Sequence, residues 1–317
     1  MSRTDTSRAR PTPAAGGAAG SATTKNVVRQ RRTDRKSARR RTLSHALLLA
    51  GLVLLAVLMM MPIAFSLLAS VTPLEQLLRS SVQIIPESWQ WSNYPEAWTR
   101  GNFGRYFVNS VIITAGVVLL DTVASSMTAY VLARRQMPGQ RALEGLYMTT
   151  LFIGLTTAVL YPQYQIAQNL GLDNLMGMTL VELASVMVVH ILLMKGFLQG
   201  QGEEIEDAAR IDGCGFFGIY RRIVLPLMTP IIATTVILGF QASWNNYQVP
   251  LTFSLSAPEL RTLVVGVNAL QYDAVEGLAN YNTVLAGANI ALIPIVVVFV
   301  FLQRYFVRGW TEGAVKG

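Results

Sequence analysis

Hydrophobic positions in this chain gather into long blocks from which charge is almost absent, rather than alternating with polar positions at strand spacing. The first block covers residues 43–71, and others follow at about 109–132, 146–166, 178–198, 228–249 and 283–306. Each approaches the roughly 20 residues that a helix rising 1.5 Å per residue needs to cross a hydrocarbon layer. A helix satisfies its own backbone there without water, so the pattern predicts an all-α membrane protein with six transmembrane helices. Pro62 and Pro162 should kink the first and third. A cleaved signal peptide does not fit the first block, which exceeds the roughly 7–15 residues of a signal core and lacks a small-residue cleavage site.

The segments between the blocks are polar in different ways. Residues 72–107 hold Trp89, Trp91, Tyr94, Trp98, Phe103, Tyr106 and Phe107, a density of aromatics suited to a membrane–water interface. Of the 317 residues 52% are hydrophobic and 14% charged, with mean hydropathy +0.40. A soluble domain carries about a quarter charged residues. The net charge of +8 is local. Arg31, Arg32, Arg35, Lys36, Arg39, Arg40 and Arg41 crowd the first forty-two residues, where almost no large apolar side chain stands. Residues 1–42 therefore read as a disordered basic tail, and its place directly before a span points to anionic lipid rather than nucleic acid. Arg134, Arg135 and Arg141, the Lys195–Arg222 stretch and the C-terminus hold most other cations, while alternate loops are neutral or acidic. With six spans in residues 43–307, that asymmetry places both termini, including residues 308–317, in the cytoplasm. The single cysteine, Cys214, excludes an internal disulfide and a cysteine metal cluster.

One charged stretch, QGEEIEDAARIDGCGFFGIYRRIVLPLMTP, interrupts the apolar sequence between the fourth and fifth blocks. Glu203, Glu204, Glu206 and Asp207 suit the positive end of a helix, and Gly213 is placed to end that helix in a left-handed turn. Phe216, Phe217 and Tyr220 give a second short helix an apolar face, and Pro226 and Pro230 form an elbow into the fifth block. The segment from Gly213 to Gly218 spells G-x-G-x-x-G, but no strand precedes it and no βαβ unit surrounds it, so a dinucleotide site is excluded by context. No G-x-x-x-x-G-K-[ST] loop occurs, and no nucleophile–base pair or metal-ligand cluster suggests an enzyme.

This stretch resembles the EAA signature of permease subunits of ATP-binding-cassette importers. The matching residues are Asp207-Ala208-Ala209, then Asp212-Gly213, then Ile223, Leu225 and Pro226, with Pro230 beyond. Asp207 stands where glutamate is usual, beside Glu206, and Cys214 where alanine is common. NYPEAW and NFGRYFVNSVIIT from Asn93, SWNNYQVPL from Ser243 and the terminal FVRGWTEGAVKG are similar to maltose-type carbohydrate importers, on the side of the MalG-like subunit. The resemblance implies a non-catalytic subunit of a prokaryotic inner membrane that moves a carbohydrate by alternating access. It also implies a second permease, an ABC ATPase dimer that binds the ATP and Mg, and an extracytoplasmic solute-binding protein. Residues 201–226 would then be a cytoplasmic coupling helix region seated on the ATPase. Glu206, Asp207, Ala208, Ala209, Asp212, Gly213, Ile223, Leu225 and Pro226 would form it, and Gly313, Ala314, Val315, Lys316 and Gly317 would reach the same partner. An importer for a non-sugar solute such as glycerol phosphate, and a proton-coupled secondary transporter, are the alternative readings.

Ionisable groups inside spans are functional candidates. Asp121 and His190 are open to pairing across the bundle, lining a path or carrying protons, and Ser125 and Ala129 beside Asp121 favour a structural hydrogen bond. Glu182, nearer a helix end, is expected to reach the interface. Trp244, Asn245, Asn246 and Gln248, with Asp121, are candidates for the translocation path, since a sugar ring stacks on indole and its hydroxyls bond amides; for the first four an interfacial girdle is the equal alternative.

Overall fold

The computed structural model describes residues 19–78, 85–135, 137–152, 156–272 and 281–314, and every regular element among them is helical. In chain order these are α1 (Ala19–Ser70), α2 (Leu74–Leu78), α3 (Asn93–Arg100), α4 (Phe103–Arg134), α5 (Gln140–Phe152), α6 (Thr156–Asn169), α7 (Leu175–Gln199) and α8 (Glu204–Ile211). They continue as α9 (Phe216–Ile219), a π-helical turn (Tyr220–Val224), α10 (Leu225–Leu227), α11 (Thr229–Trp244) and α12 (Gln248–Ser254). A 3₁₀ turn (Pro258–Leu260), α13 (Leu263–Tyr272) and α14 (Tyr281–Ala314) complete the chain. One compact unit ends at Ala64 and a second begins at Phe65. In the first, α1 presents exposed leucines, valines and methionines from Leu47 to Met61 on all sides, as a helix in lipid does. Its helical backbone starts at Ala19, inside the basic segment, and residues 1–18 lie outside the described residues.

Within the second unit α4 is the spine. Ile113, Val117, Asp121, Ser125 and Ala129 recur every fourth residue and are all buried. That stripe packs along α7, the most extensive helix contact of the unit, with α11 against the same side. The helices approach closely where Gly116 faces Thr179, because a Cβ there would lie 3.0 Å from the threonine Cγ2. At the far end of α4, Asn109 Nδ2 donates to the carbonyls of Glu259 and Arg261 (2.8 and 2.9 Å), and Ser110 Oγ accepts the Leu263 N–H. These bonds fix the polar loop before α13.

Among the described residues four helices are long and apolar enough to cross a membrane: His45–Ser70, Phe103–Arg134, Leu175–Gln199 and Tyr281–Phe301. A fifth span arises if Phe216–Leu227 and Thr229–Trp244 are taken as one, and these two pieces are bent by 75°. Two expected spans therefore differ from the sequence reading. The third appears as α5 and α6, neither long enough alone, and residues 153–155 between them lie outside the described residues. The fifth stops at Trp244 instead of about 249 because the chain leaves the helix at Asn245 and Asn246. Asn246 Oδ1 then accepts the Val249 N–H and helps to start α12.

Candidate functional site

The charged stretch folds as expected into a short helix, a turn and a second helical piece. Glu204, Glu206 and Asp207 occupy the first turn of α8, where the unpaired N–H groups favour negative charge. The helix ends in a Schellman motif. Cys214 N–H bonds the Ala209 carbonyl (2.9 Å), Gly213 N–H bonds that of Arg210 (3.1 Å), and Gly213 takes φ +82°. Open space surrounds the missing Gly213 Cβ, so the left-handed backbone rather than crowding selects glycine.

The two faces of α8 differ. Ile205 and Ile211 are exposed at 62% and 87%, and Ala208 between them is exposed too. This gives a charged helix a small apolar ridge on its outer side. Glu206 and Ala209 face inward and are buried. Ala209 joins a core of Ala129, Tyr130, Met194, Leu198, Ile219, Tyr220, Val224 and Met228, with Ile223 and Leu225 half-buried against it. α8 is thereby seated on the adjoining ends of α4 and α7.

Glu206 does not offer its carboxylate outward. Its Oε1 accepts from Arg134 Nε at 2.9 Å, and both side chains are almost fully buried. The same guanidinium reaches Glu203 Oε1 (3.5 Å) and the Gln201 carbonyl (3.3 Å). Asp207 is the outward acid, paired with Arg210 on its own helix at 2.5 Å. Phe216 stacks on Tyr130 with centroids 4.6 Å apart, and the Arg135 guanidinium lies 4.7 Å over the Phe216 ring. Tyr220 packs on Tyr130 and meets the Ser126 hydroxyl, whereas Phe217 remains exposed. Pro226 and Pro230 flank the 75° bend at Met228. Nearby, Lys195 Nζ holds Glu144 Oε1 at 2.7 Å, joining α5 to α7. Gln140 Nε2 donates to the same carboxylate oxygen at 2.8 Å.

The remaining candidates separate. Asp121 and His190 do pair across the bundle, Oδ2 to Nδ1 at 2.5 Å, and Ser125 Oγ donates to Asp121 Oδ1 at 2.7 Å. Asp121 is 1% exposed, so it lines no path in this arrangement. Glu182 is likewise 1% exposed and does not reach the interface, because its Oε2 receives the Ser243 hydroxyl at 2.5 Å. Trp244 is also not available to a solute. Its ring packs on Phe240 and Phe107, and its Nε1–H donates to the Ala291 carbonyl. Asn245 is exposed and bonds back to Gln241 O. Asn246 and Gln248 line a cavity of about 430 Å³ with Gln163, Ser185, Thr149 and Thr150. Among the described residues no charged side chain lines it. Gly313 and Ala314 end α14, and Val315, Lys316 and Gly317 lie outside the described residues. Among the described residues no group of His, Cys, Asp and Glu is placed to hold a metal.

Residues 127–312 match the family described as binding-protein-dependent transport system inner membrane component. The chain is 35% identical over 240 residues to the melibiose/raffinose/stachyose import permease protein MelC of Bacillus subtilis, covering 75% of this chain and 85% of that protein. It is 34% identical over 274 residues to the arabinooligosaccharides transport system permease protein AraQ of Halalkalibacterium halodurans, covering 86% and 96%. In fold it is similar to a chain from the crystal structure of a bacterial ABC transporter involved in the import of the acidic polysaccharide alginate. The TM-score is 0.71 at 23% identity, over 85% of this chain and 98% of that one.

Proposed function

The chain belongs to the family of binding-protein-dependent transport system inner membrane components, and from that premise we propose that it is a carbohydrate permease whose α8 docks on a separate ATPase dimer. As a member of that family it is a transport subunit and not an enzyme. The observation that carries the docking reading is the exposed ridge of Ile205, Ala208 and Ile211 on a helix closed by a Schellman turn and fastened to the ends of two spans. A partner cleft that accepts this ridge meets no bulky side chain at Ala208 and finds Asp207 on the outer side, where an arginine or lysine of the partner would compete with Arg210 for its carboxylate.

Six spans follow if α5 with α6, and the bent pair around Met228, each cross once. The basic segments then fall on one side, which favours cytoplasmic termini and puts α8 beside the ATPase. A second permease, two ATPase chains and an extracytoplasmic binding protein complete the transporter. Displacement of α8 would reach α11 through the elbow and open the path alternately to each side.

Carbohydrate is favoured by the relatives named for oligosaccharides and by the cavity beside Asn246 and Gln248. Its lining offers amides and hydroxyls without a cation, which suits a neutral polyhydroxylated solute better than glycerol phosphate. The test is co-purification of this chain with its ATPase, partner permease and binding protein, followed by ATP hydrolysis with neutral oligosaccharides and with glycerol phosphate. Oligosaccharide-stimulated hydrolysis is expected. Stimulation by glycerol phosphate alone would remove the carbohydrate assignment, and failure to bind any ATPase would remove the whole reading.

A further inference from the structure

The inner side of α8 carries an ion pair that the docking reading leaves without a task. Arg134 ends α4, and Glu206 lies in the first turn of α8, 72 positions further along the chain. Their side chains are 3% and 2% exposed. The guanidinium is held three ways, by Glu206 Oε1, Glu203 Oε1 and the Gln201 carbonyl, so its planar fork fixes both the helix and the backbone leading into it. The other carboxylate oxygen, Glu206 Oε2, is buried without a hydrogen bond, with Arg210 Nη2 at 3.8 Å.

An arginine cannot shed its proton within any ordinary pH range. If α8 moved away from α4, the guanidinium would lose Glu206, Glu203 and the Gln201 carbonyl together, so the two helices do not part without breaking all three contacts. We infer that Arg134 is a positioning residue for coupling: it makes α8 and the inner half of α4 move as one body when the ATPase displaces the dock. Two further contacts join the same body. Tyr220 at the elbow bonds Ser126 of α4, and Tyr130 of α4 lies stacked against both Phe216 and Tyr220. Force delivered to α8 therefore enters the bundle through α4 as well as through the elbow into α11. Glu206 serves the inside of the chain, and Asp207 is left to meet the partner.

This inference rests on the docking reading and is separable from it in one preparation. The complete transporter, purified through a tag on the ATPase so that only assembled complexes are counted, is placed in proteoliposomes. Solute moved per ATP hydrolysed is then measured. Assembly of the wild-type chain with solute-stimulated hydrolysis tests the docking reading alone. For Arg134→Gln and Glu206→Gln the ratio should fall about tenfold each, and the double variant should lie no lower than the single ones, because all three remove the same link. A merely structural role would lower the yield of complex without changing the ratio in those that assemble. Arg134→Lys keeps the charge but loses the fork, and it serves if the glutamine variants fail to fold; its ratio should fall as well. Wild-type ratios in the single variants, or in Arg134→Lys, would overturn the inference. So would a Glu206→Gln chain that no longer binds the ATPase, since Glu206 would then be a contact of the dock.

Discussion

The hydroxyls of Ser126 and Tyr220 lie 2.8 Å apart in the protein interior, joining the middle of α4 to the first residue of the π-helical elbow across 94 positions of sequence. The elbow is therefore fastened at its inner end before the chain turns by 75° into α11. Tyr220→Phe removes this bond and leaves Ser126 with the Thr122 carbonyl at 2.5 Å, so no buried group is orphaned. The expected loss is about 1 kcal/mol, seen as a fall of about 2–4 °C in the melting temperature of the purified chain.

Gly213→Ala forces a side chain into the left-handed region at φ +82°, where an L-residue costs about 1–2 kcal/mol. Gly213→Asn should lose clearly less, because asparagine tolerates that region. Thermal unfolding of the two variants compares them directly; equal stability of Gly213→Ala and wild type would refute the Schellman assignment.

Asp121→Ala removes the acceptor from a buried His190 and leaves the Ser125 hydroxyl only the Met187 carbonyl at 3.4 Å, so about 1–3 kcal/mol of stability should go. Asp121→Asn keeps an acceptor for Ser125 and should cost less than half of that. Transport per assembled complex should persist in Asp121→Asn, since the pair joins α4 to α7 and is closed to solute. An Asp121→Asn chain that folds normally but loses all uptake would speak instead for proton transfer.

Much of this arrangement was legible in the chain because the signals are local. Spans α1, α4, α7 and α14 follow from blocks of apolar residues, and the end of α8 follows from one glycine behind an acid-rich turn. What escaped is held by partners distant in sequence. Nothing near Arg134 announces that it meets Glu206, and nothing near Glu182 announces Ser243 on α11. Trp244 looked like a sugar platform because indole is amphipathic, but its N–H found the Ala291 carbonyl and its ring found Phe240. The break at Asn245 and Asn246 lies inside an apolar block, where average hydropathy hides one amide that bonds back to α11 and another that bonds forward to α12.

The most direct test of the central claim is oligosaccharide uptake by vesicles that hold this chain with its partner permease, ATPase pair and binding protein, at clamped internal ATP. Wild type is compared with Ile211→Asp, which alters a side chain 87% exposed and so should leave the fold within about 0.5 kcal/mol of wild type. Uptake should require ATP, ignore a protonophore, and fall at least about tenfold in Ile211→Asp as a charge enters the docking cleft. Uptake by the chain without any ATPase, or its collapse under a protonophore while ATP is held constant, would contradict the claim.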